Sequence, residues 1–365
     1  MKKILICGGH LSPAIALIEE FEIEKDIVIN FIGRKYSTEG SSSVSQEFKI
    51  VTEKKIKFYR LTTGRFQRKF TRFTIPSLLK IPIGFLQSFI YLLSSRPNIV
   101  VSFGGYISCP VIMSAWLLGI KSITHEQSIV PGLANKINSI FVEKIYLSWQ
   151  DSEKYFDKNK TKTIGNLIRK DIFASKADNN KILKILKNSN KLIYVTGGNQ
   201  GSHILNSLIF SSINIFKNFN IIHQVGATNF QGDLEKANKL KSQNYLPIDF
   251  TSSQNIGAIL KKAEFVISRS GANTVWELAA LAKPAIFIPL EIAAGNEQYQ
   301  NAKILERTGS AAIIKEKNLS SSNFKKVLDD FVENLNAHKN AAEKFQKTIP
   351  RDASTKLKQE ILRYT

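Results

Sequence analysis

Lys3-Ile4-Leu5-Ile6-Cys7-Gly8-Gly9, at the start of the chain, and Lys191-Leu192-Ile193-Tyr194-Val195-Thr196-Gly197-Gly198, past its middle, share one plan: a basic residue, an apolar run, then paired glycines. A short apolar run that stops at glycine reads as a buried strand, and the glycines let the backbone turn tightly into the next element. That next element is helical in both places: Pro13–Phe21 carries apolar residues at helical spacing after the first turn, and His203–Phe210 does so after the second. Each stretch is the first strand-turn-helix unit of a Rossmann-like domain, and its repetition makes the chain two such domains.

The pattern continues outward from each. Ile27–Ile32 ends at Gly33 and Ile99–Phe103 ends at Gly104-Gly105, while Ile221–Gln224, Phe265–Ser268 and Ala285–Ile288 supply further strands in the second half. Strands alternating with helices imply parallel sheets and an α/β class. The polar, Lys-rich stretch 151–162 marks the boundary, giving a first domain over 1–163 and a second over 164–345. Residues 334–364 read as a terminal helix pair broken at Pro350.

At 365 residues the chain has the length of two domains, and with 43% hydrophobic and 22% charged residues it is neither disordered nor a polytopic membrane protein. Its formal net charge of +21 favours an anionic partner: nucleic acid, acidic lipid or a phosphorylated substrate. Cys7 and Cys109 do not make a disulfide framework or a zinc motif, and the apolar run before Gly8 is too short for a signal peptide, so a cytoplasmic, reducing setting is expected. No Gly-x-x-x-x-Gly-Lys loop and no Asp-x-Asp pair is present, which removes kinase and ATPase readings and leaves no metal or other cofactor called for. Ile75–Leu93 is apolar but interrupted by Lys80, Pro82 and Gln87. It suits the surface of an anionic bilayer better than its interior, with Arg65, Arg68, Lys69 and Arg72 just ahead of it. The alternative is that Ile81, Phe85, Leu86 and Phe89 face a core.

Several turns carry residues with chemistry. Gly8-Gly9-His10 stands where a strand becomes a helix, a place where main-chain N–H groups hold phosphate; a plain tight turn is the rival account. Gly197-Gly198-Asn199-Gln200-Gly201 repeats that logic. Ser268 through Glu277 also runs from strand to helix, with a carboxylate one turn in that suits a ribose diol or merely complements the helix dipole. His125-Glu126-Gln127 clusters titratable and amide groups at a strand's end, and Gln298 and Asn301 offer amides to sugar hydroxyls.

Taken in order, these pieces resemble the MurG family, the UDP-N-acetylglucosamine:muramyl-pentapeptide pyrophosphoryl-undecaprenol N-acetylglucosaminyltransferases. The carriers are Gly8-Gly9-His10 with Pro13, Phe103-Gly104-Gly105-Tyr106, His125-Glu126-Gln127 with Pro131 to Lys136, Gly165-Asn166 with Arg169, Gly197 to Gly201, Arg269-Ser270-Gly271-Ala272 through Glu277, and Gln298 with Asn301. The resemblance spans nearly the whole chain. It implies a glycosyltransferase B fold with an interdomain cleft, UDP-N-acetylglucosamine on the second half, a polyprenyl-diphosphate-linked muramyl peptide on the first, and a final helix, 346–365, that crosses back to the first domain.

By that likeness, Arg169 with Asn199, Gln200 and Gly201 holds the donor diphosphate, Glu277 the ribose, Ala272, Asn273 and Thr274 the nucleotide, Gln298 with Asn301 the sugar, and Thr251 lies near uracil. Gly8, Gly9, His10, Gly104, Gly105, Tyr106, His125, Gln127 and Ser128 fall to the acceptor. His10 is the candidate base and Glu126 its rival. The first glycine loop is shorter than the family's Gly-Gly-Thr-Gly-Gly-His, Ser128 replaces a usual Asn, Asn199 a common Ser, and Trp276 a small residue. The expected reaction is an inverting, metal-independent transfer of N-acetylglucosamine to the muramyl C4 hydroxyl of lipid I. Transfer to another lipid such as diacylglycerol, a basic nucleic-acid-binding protein and a silent scaffold are the alternatives. The nucleic-acid reading lacks a recognisable reading motif, and His10, Glu277 and Gln298 occurring together argue against the scaffold.

Overall fold

The computed structural model describes residues 1–36, 44–64, 74–240, 244–291 and 296–365. The chain begins with β1 (Lys2–Cys7), α1 (Leu11–Phe21), β2 (Ile27–Gly33), α2 (Gln46–Glu53), β3 (Lys57–Arg60), α3 (Thr74–Ser95), β4 (Ile99–Ser102), α4 (Ser108–Leu117), β5 (Lys121–Glu126), α5 (Leu133–Phe141), β6 (Lys144–Leu147) and β7 (Thr161–Thr163). It continues with α6 (Asn180–Leu186), β8 (Lys191–Thr196), α7 (His203–Ser211), β9 (Phe219–Gln224), α8 (Asp233–Lys239), β10 (Tyr245–Ile248), α9 (Ser253–Lys262), β11 (Ala263–Ser268), α10 (Ala272–Ala280), β12 (Ala285–Phe287), α11 (Glu297–Arg307), β13 (Ala311–Ile313), α12 (Ser321–Glu333) and α13 (Leu335–Gln346). The last helix is α14 (Ala353–Leu362).

These elements form two compact units, Met1–Arg169 with Pro350–Thr365, and Lys170–Ile349. The first holds a seven-stranded sheet ordered β3-β2-β1-β4-β5-β6-β7, the second a six-stranded sheet ordered β10-β9-β8-β11-β12-β13. Among the described residues, every pairing between strands of the two sheets is parallel. In each sheet the order reverses beside its first strand, at β1/β4 and at β8/β11, the switch points where open α/β sheets bind ligands. The two α/β units expected from the sequence are therefore present.

The continuous apolar runs arise because helices cover both faces of a sheet. Along β1, Ile4 and Ile6 pack into one core with α1 and α14, while Leu5 and Cys7 point the other way into a core built with α4. The chain crosses between units at Arg169/Lys170 rather than after 163, because Ile164 and Leu167 are buried in the first unit's core. On the return, α13 stays with the second unit, where Gln346 donates to the Ala280 carbonyl, while α14 joins the first through Leu357 and Ile361. The expected terminal helix pair is thus divided between units. Lys358 fastens α14 to α1 by donating to the Glu20 carbonyl at 2.9 Å.

Helix α3 has its polarity reversed. Its inward face is made of Ser77, Gly84, Ser88, Leu92 and Ser95, and a Cβ on Gly84 would stand 2.3 Å from the Thr63 side chain. Its outward face carries Ile75, Leu79, Ile83, Leu86, Ile90 and Leu93, with Leu79 68% and Leu86 60% exposed. The core reading fails for Leu86, while Ile81, Phe85 and Phe89 are half-buried. Residues 77–95 are long and apolar enough to cross a membrane by length and composition, yet their small-residue face is spent on close packing within the unit. Arg65, Arg68, Lys69 and Arg72 lie outside the described residues.

Candidate active site

In the first unit the site starts from two glycine turns at the β1/β4 switch point. Cys7 pairs with Ser102, so the two strands end level. Beyond them the Phe103 amide donates to the Cys7 carbonyl at 2.9 Å and the Gly9 amide to the Gly104 carbonyl at 2.8 Å. Gly8, Gly104 and Gly105 have φ of 135°, 76° and 74°, in the left-handed region that side chains rarely enter. A Cβ on Gly105 would come within 2.8 Å of the Gly9 nitrogen. Glycine here is what allows two turns to touch.

His10 is the N-cap of α1 and its side chain makes no cap bond. Burial lowers its pKa, and the positive end of the helix dipole acts in the same direction. The residue is exposed, so an imidazole whose charged form is disfavoured stays open to a ligand.

The cluster at the end of β5 separates into different roles. His125 is fully buried, its Nε2 3.0 Å from the Gly165 carbonyl and its Nδ1 3.0 Å from Gln127 Nε2. Because Gln127 donates, Nδ1 accepts and Nε2 carries the proton. Desolvation outweighs the hydrogen bond to the Gly165 carbonyl, which favours the charged form, and with a smaller push from His10 brings the His125 pKa to about 4, so it stays neutral. Glu126, 3% exposed, accepts from the Ser128 amide at 2.9 Å, the Gly132 amide at 3.2 Å and Asn135 Nδ2 at 2.9 Å. A carboxylate so engaged holds its loop. Asn135 has no site role by sequence alone, yet it also donates to the His125 carbonyl, accepts from Thr124 Oγ1 at 2.8 Å, and would lie 2.9 Å from a Cβ on Gly104. Tyr106 is half-buried with the Arg34 guanidinium 5.9 Å over its ring, and Ser128 is buried.

The second unit repeats the arrangement around β8 and β11. Gly198, Gly201 and Gly226 have φ of 85°, 85° and 109°, and a Cβ on Gly201 would strike the Val225 carbonyl at 2.1 Å. Asn199 and Gln200 are exposed at the tip of the turn, and Ser202 caps α7 by accepting from the Leu205 amide. Gln224, at the last position of β9, donates to the Gly198 carbonyl at 3.0 Å and accepts from the Thr251 amide at 3.1 Å and from Tyr194 at 3.0 Å. It ties Thr251 to the glycine turn. A polar residue closing an apolar strand is the signal that would have found it.

Across the switch point, α10 starts at Gly271 without a side-chain cap, presenting Ala272, Asn273 and Thr274 on its first turn and the half-buried Glu277 on the next. Gln298, early in α11, accepts from the Leu290 amide at 3.1 Å through Oε1, and its main-chain carbonyl accepts from Ser270 at 2.8 Å. Its Nε2 donates to no acceptor among the described residues. Asn301 is buried one turn further along. The residues from Asn199 to Gly201, Thr251, Ala272 to Thr274, Glu277 and Gln298 thus come after the C-terminal ends of strands β8, β10, β11 and β12 of one parallel sheet. Arg169 is the last residue of the other unit before the chain crosses.

Residues 7–147 match the glycosyltransferase family 28 N-terminal domain, and residues 192–357 its C-terminal domain. The chain is 32% identical over 329 residues to the UDP-N-acetylglucosamine–N-acetylmuramyl-(pentapeptide) pyrophosphoryl-undecaprenol N-acetylglucosamine transferase of Borrelia hermsii, covering 90% of this chain and 86% of that one. It is 32% identical over 339 residues to the Clostridium tetani transferase of the same name, covering 91% and 90%. The chain belongs to the MurG family of glycosyltransferases. A crystal structure of MurG from Acinetobacter baumannii superposes with a TM-score of 0.70 at 20% identity, covering all of both chains. A Staphylococcus aureus MnaA–UDP co-structure gives 0.70 at 14% identity over 100% of this chain and 97% of that one, a likeness of fold. Membership in the MurG family decides the class the sequence left open: the chain is a glycosyltransferase, not a silent scaffold.

Proposed function

We propose that this protein moves N-acetylglucosamine from UDP-N-acetylglucosamine to the muramyl C4 hydroxyl of a polyprenyl-diphosphate-linked muramyl peptide, converting lipid I to lipid II. The observation that carries the reading is family membership joined to a sheet edge in the second unit suited to a nucleotide sugar: a glycine turn opening α7, an uncapped α10, a carboxylate at Glu277 and an amide donor at Gln298. Anionic diphosphate is stabilised by helix N-terminal N–H groups and ribose by a carboxylate.

In this scheme His10 takes the proton of the C4 hydroxyl as its oxygen attacks the anomeric carbon, and the bond from that carbon to the diphosphate oxygen breaks with inversion. UDP departs with the electron pair. Its new charge is met by the N-terminus of α7, a task that elsewhere falls to a divalent cation, so the transfer proceeds without a metal. The acceptor diphosphate lies at Gly8-Gly9 and Gly104-Gly105, with Tyr106, His125, Gln127 and Ser128 forming the neighbouring wall. Glu126 shapes that wall rather than serving as base. Incubation with UDP-N-acetylglucosamine and a short-chain lipid I analogue in EDTA, read by mass spectrometry, tests the proposal, and a diacylglycerol arm tests the other acceptor. No sugar added to the lipid I analogue would overturn it.

The acceptor's lipid tail places the enzyme at the inner face of an anionic membrane. The outward apolar face of α3 supports this, as do Trp116 and Leu117 on α4 and Leu133 and Ile140 on α5, all exposed. Exposed large apolar side chains in such number mark an interaction site, and lipid is the partner that a lipid-linked substrate brings.

A further inference from the structure

Arg269 belongs to a motif the sequence singled out, yet the proposed reaction gives it no task. It is 8% exposed. Its main-chain N–H donates to the Thr196 carbonyl at 3.3 Å, while its guanidinium donates to Ser202 Oγ from Nε at 3.0 Å and from Nη2 at 2.7 Å. Thr196 is the last residue of β8 and Ser202 the N-cap of α7, so one residue of the neighbouring strand's loop grips both ends of the turn that carries Gly197, Gly198 and Gly201. Gly197 shows how closely that turn is folded, since a Cβ there would lie 2.5 Å from the Ser202 nitrogen.

The remaining guanidinium contacts anchor the grip. Nη1 donates to the Ile288 carbonyl at 2.8 Å, and Nη2 pairs with Glu316 Oε1 at 2.5 Å. Planar guanidinium has donors in a fixed fork, so it sets the direction as well as the distance of what it holds, which an ammonium does not. Ser202 Oγ accepts from Arg269 and from the Leu205 amide, and its own proton finds no acceptor among the described residues. A hydroxyl with its lone pairs taken up and its proton unspent, at the N-terminus of a helix, is a donor for an anion.

We infer that Arg269 is a positioning residue for the donor diphosphate, acting through Ser202: it fixes the glycine turn and turns the Ser202 hydroxyl into a donor to a phosphate oxygen. This rests on the donor reading of the second unit proposed above. Binding energy from this pair goes to the diphosphate and not to the nucleoside.

The test compares UDP and uridine on the full chain, by calorimetry for UDP and saturation-transfer NMR for uridine. Ser202→Ala and Arg269→Gln are expected to weaken UDP about tenfold or more while leaving uridine within twofold of the parent, and to raise the donor KM more than they lower kcat. Arg269→Lys, which keeps the charge without the fork, should recover only part of the UDP affinity. Parallel loss of UDP and uridine in Ser202→Ala, or no loss of UDP in that folded variant, overturns the inference. Ser202→Ala decides the question even if Arg269→Gln does not fold. A parent protein that binds neither ligand overturns the donor reading itself, an outcome distinct from a parent that binds UDP as its variants do.

Discussion

Gly8 and Gly104 leave each other no room for a side chain: a Cβ on Gly8 would stand 2.8 Å from the Gly104 carbonyl oxygen, the same oxygen that accepts the Gly9 amide. The close approach of these backbones makes the end of the first sheet a surface of main-chain groups. Gly8→Ala combines a positive φ of 135° with a backbone collision that no rotamer relieves. It is expected to cost at least about 2 kcal/mol, seen as a lowered melting temperature of the first unit. Melting unchanged within about 1 °C, with full activity, would show that the turn relaxes freely.

His10→Ala should lower kcat about 10²–10⁴-fold, the range for general bases, with UDP affinity hardly moved. A base works once it has lost its proton, so activity rises as pH climbs through the His10 pKa. Burial holds that pKa below the usual 6.5, which puts the acidic limb of the profile below this value. The limb should vanish in His10→Ala. Its survival there would assign the proton to another group.

Glu277→Ala should weaken UDP about tenfold or more, because a charge-assisted hydrogen bond to a sugar hydroxyl is worth about 1.5–3 kcal/mol. Unlike the Ser202 variant, it should weaken uridine equally, since the contact is to the ribose. Calorimetry that finds UDP binding intact in folded Glu277→Ala would return the carboxylate to the role of helix-dipole partner.

Two buried histidines make stability depend on pH. His223 lies between Tyr245 Oη at 2.8 Å and Asn206 Oδ1 at 3.0 Å, and desolvation brings its pKa to about 3, as it brings that of His125 to about 4. Both are neutral in the fold and protonate near 6.5 when unfolded. Their contribution is complete above about 6.5 and declines as pH falls toward the folded values, by about 1.4 kcal/mol per unit for each. Urea unfolding at pH 7.5 and 5.5 should show the loss. His223→Asn should be less stable than the parent at pH 7.5 but lose less on acidification; an equal loss would count against the assignment.

Vesicle sedimentation checks the membrane surface. Replacing Leu79, Leu86 and Ile90 with Ser, all on the exposed face of α3, should release the protein from acidic vesicles while activity on a short, water-soluble acceptor persists. Neutralising Arg65, Arg68, Lys69 and Arg72 should weaken binding and its salt dependence. If the triple Ser variant sediments as the parent does, lipid is held elsewhere.

By itself, the sequence determined the two α/β units and both glycine turns. A strand buried on both faces must be apolar throughout, and a backbone that turns back within one residue must use glycine, so both signals are local and survive without any knowledge of neighbours.

Only the tertiary structure decided what the polar residues at those sheet ends are bonded to. The oxygens of Glu126 meet the amides of Ser128 and Gly132 and the Asn135 side chain. The grip of Arg269 on Ser202 joins residues 67 apart in sequence, and Gln224 meets Thr251 across 27. In α3, large apolar residues face outward because the small ones are needed inside, where Gly84 presses on Thr63. Helical spacing records that the helix has two faces. Which face meets solvent depends on the space its neighbours leave, and that is a property of the packed unit alone.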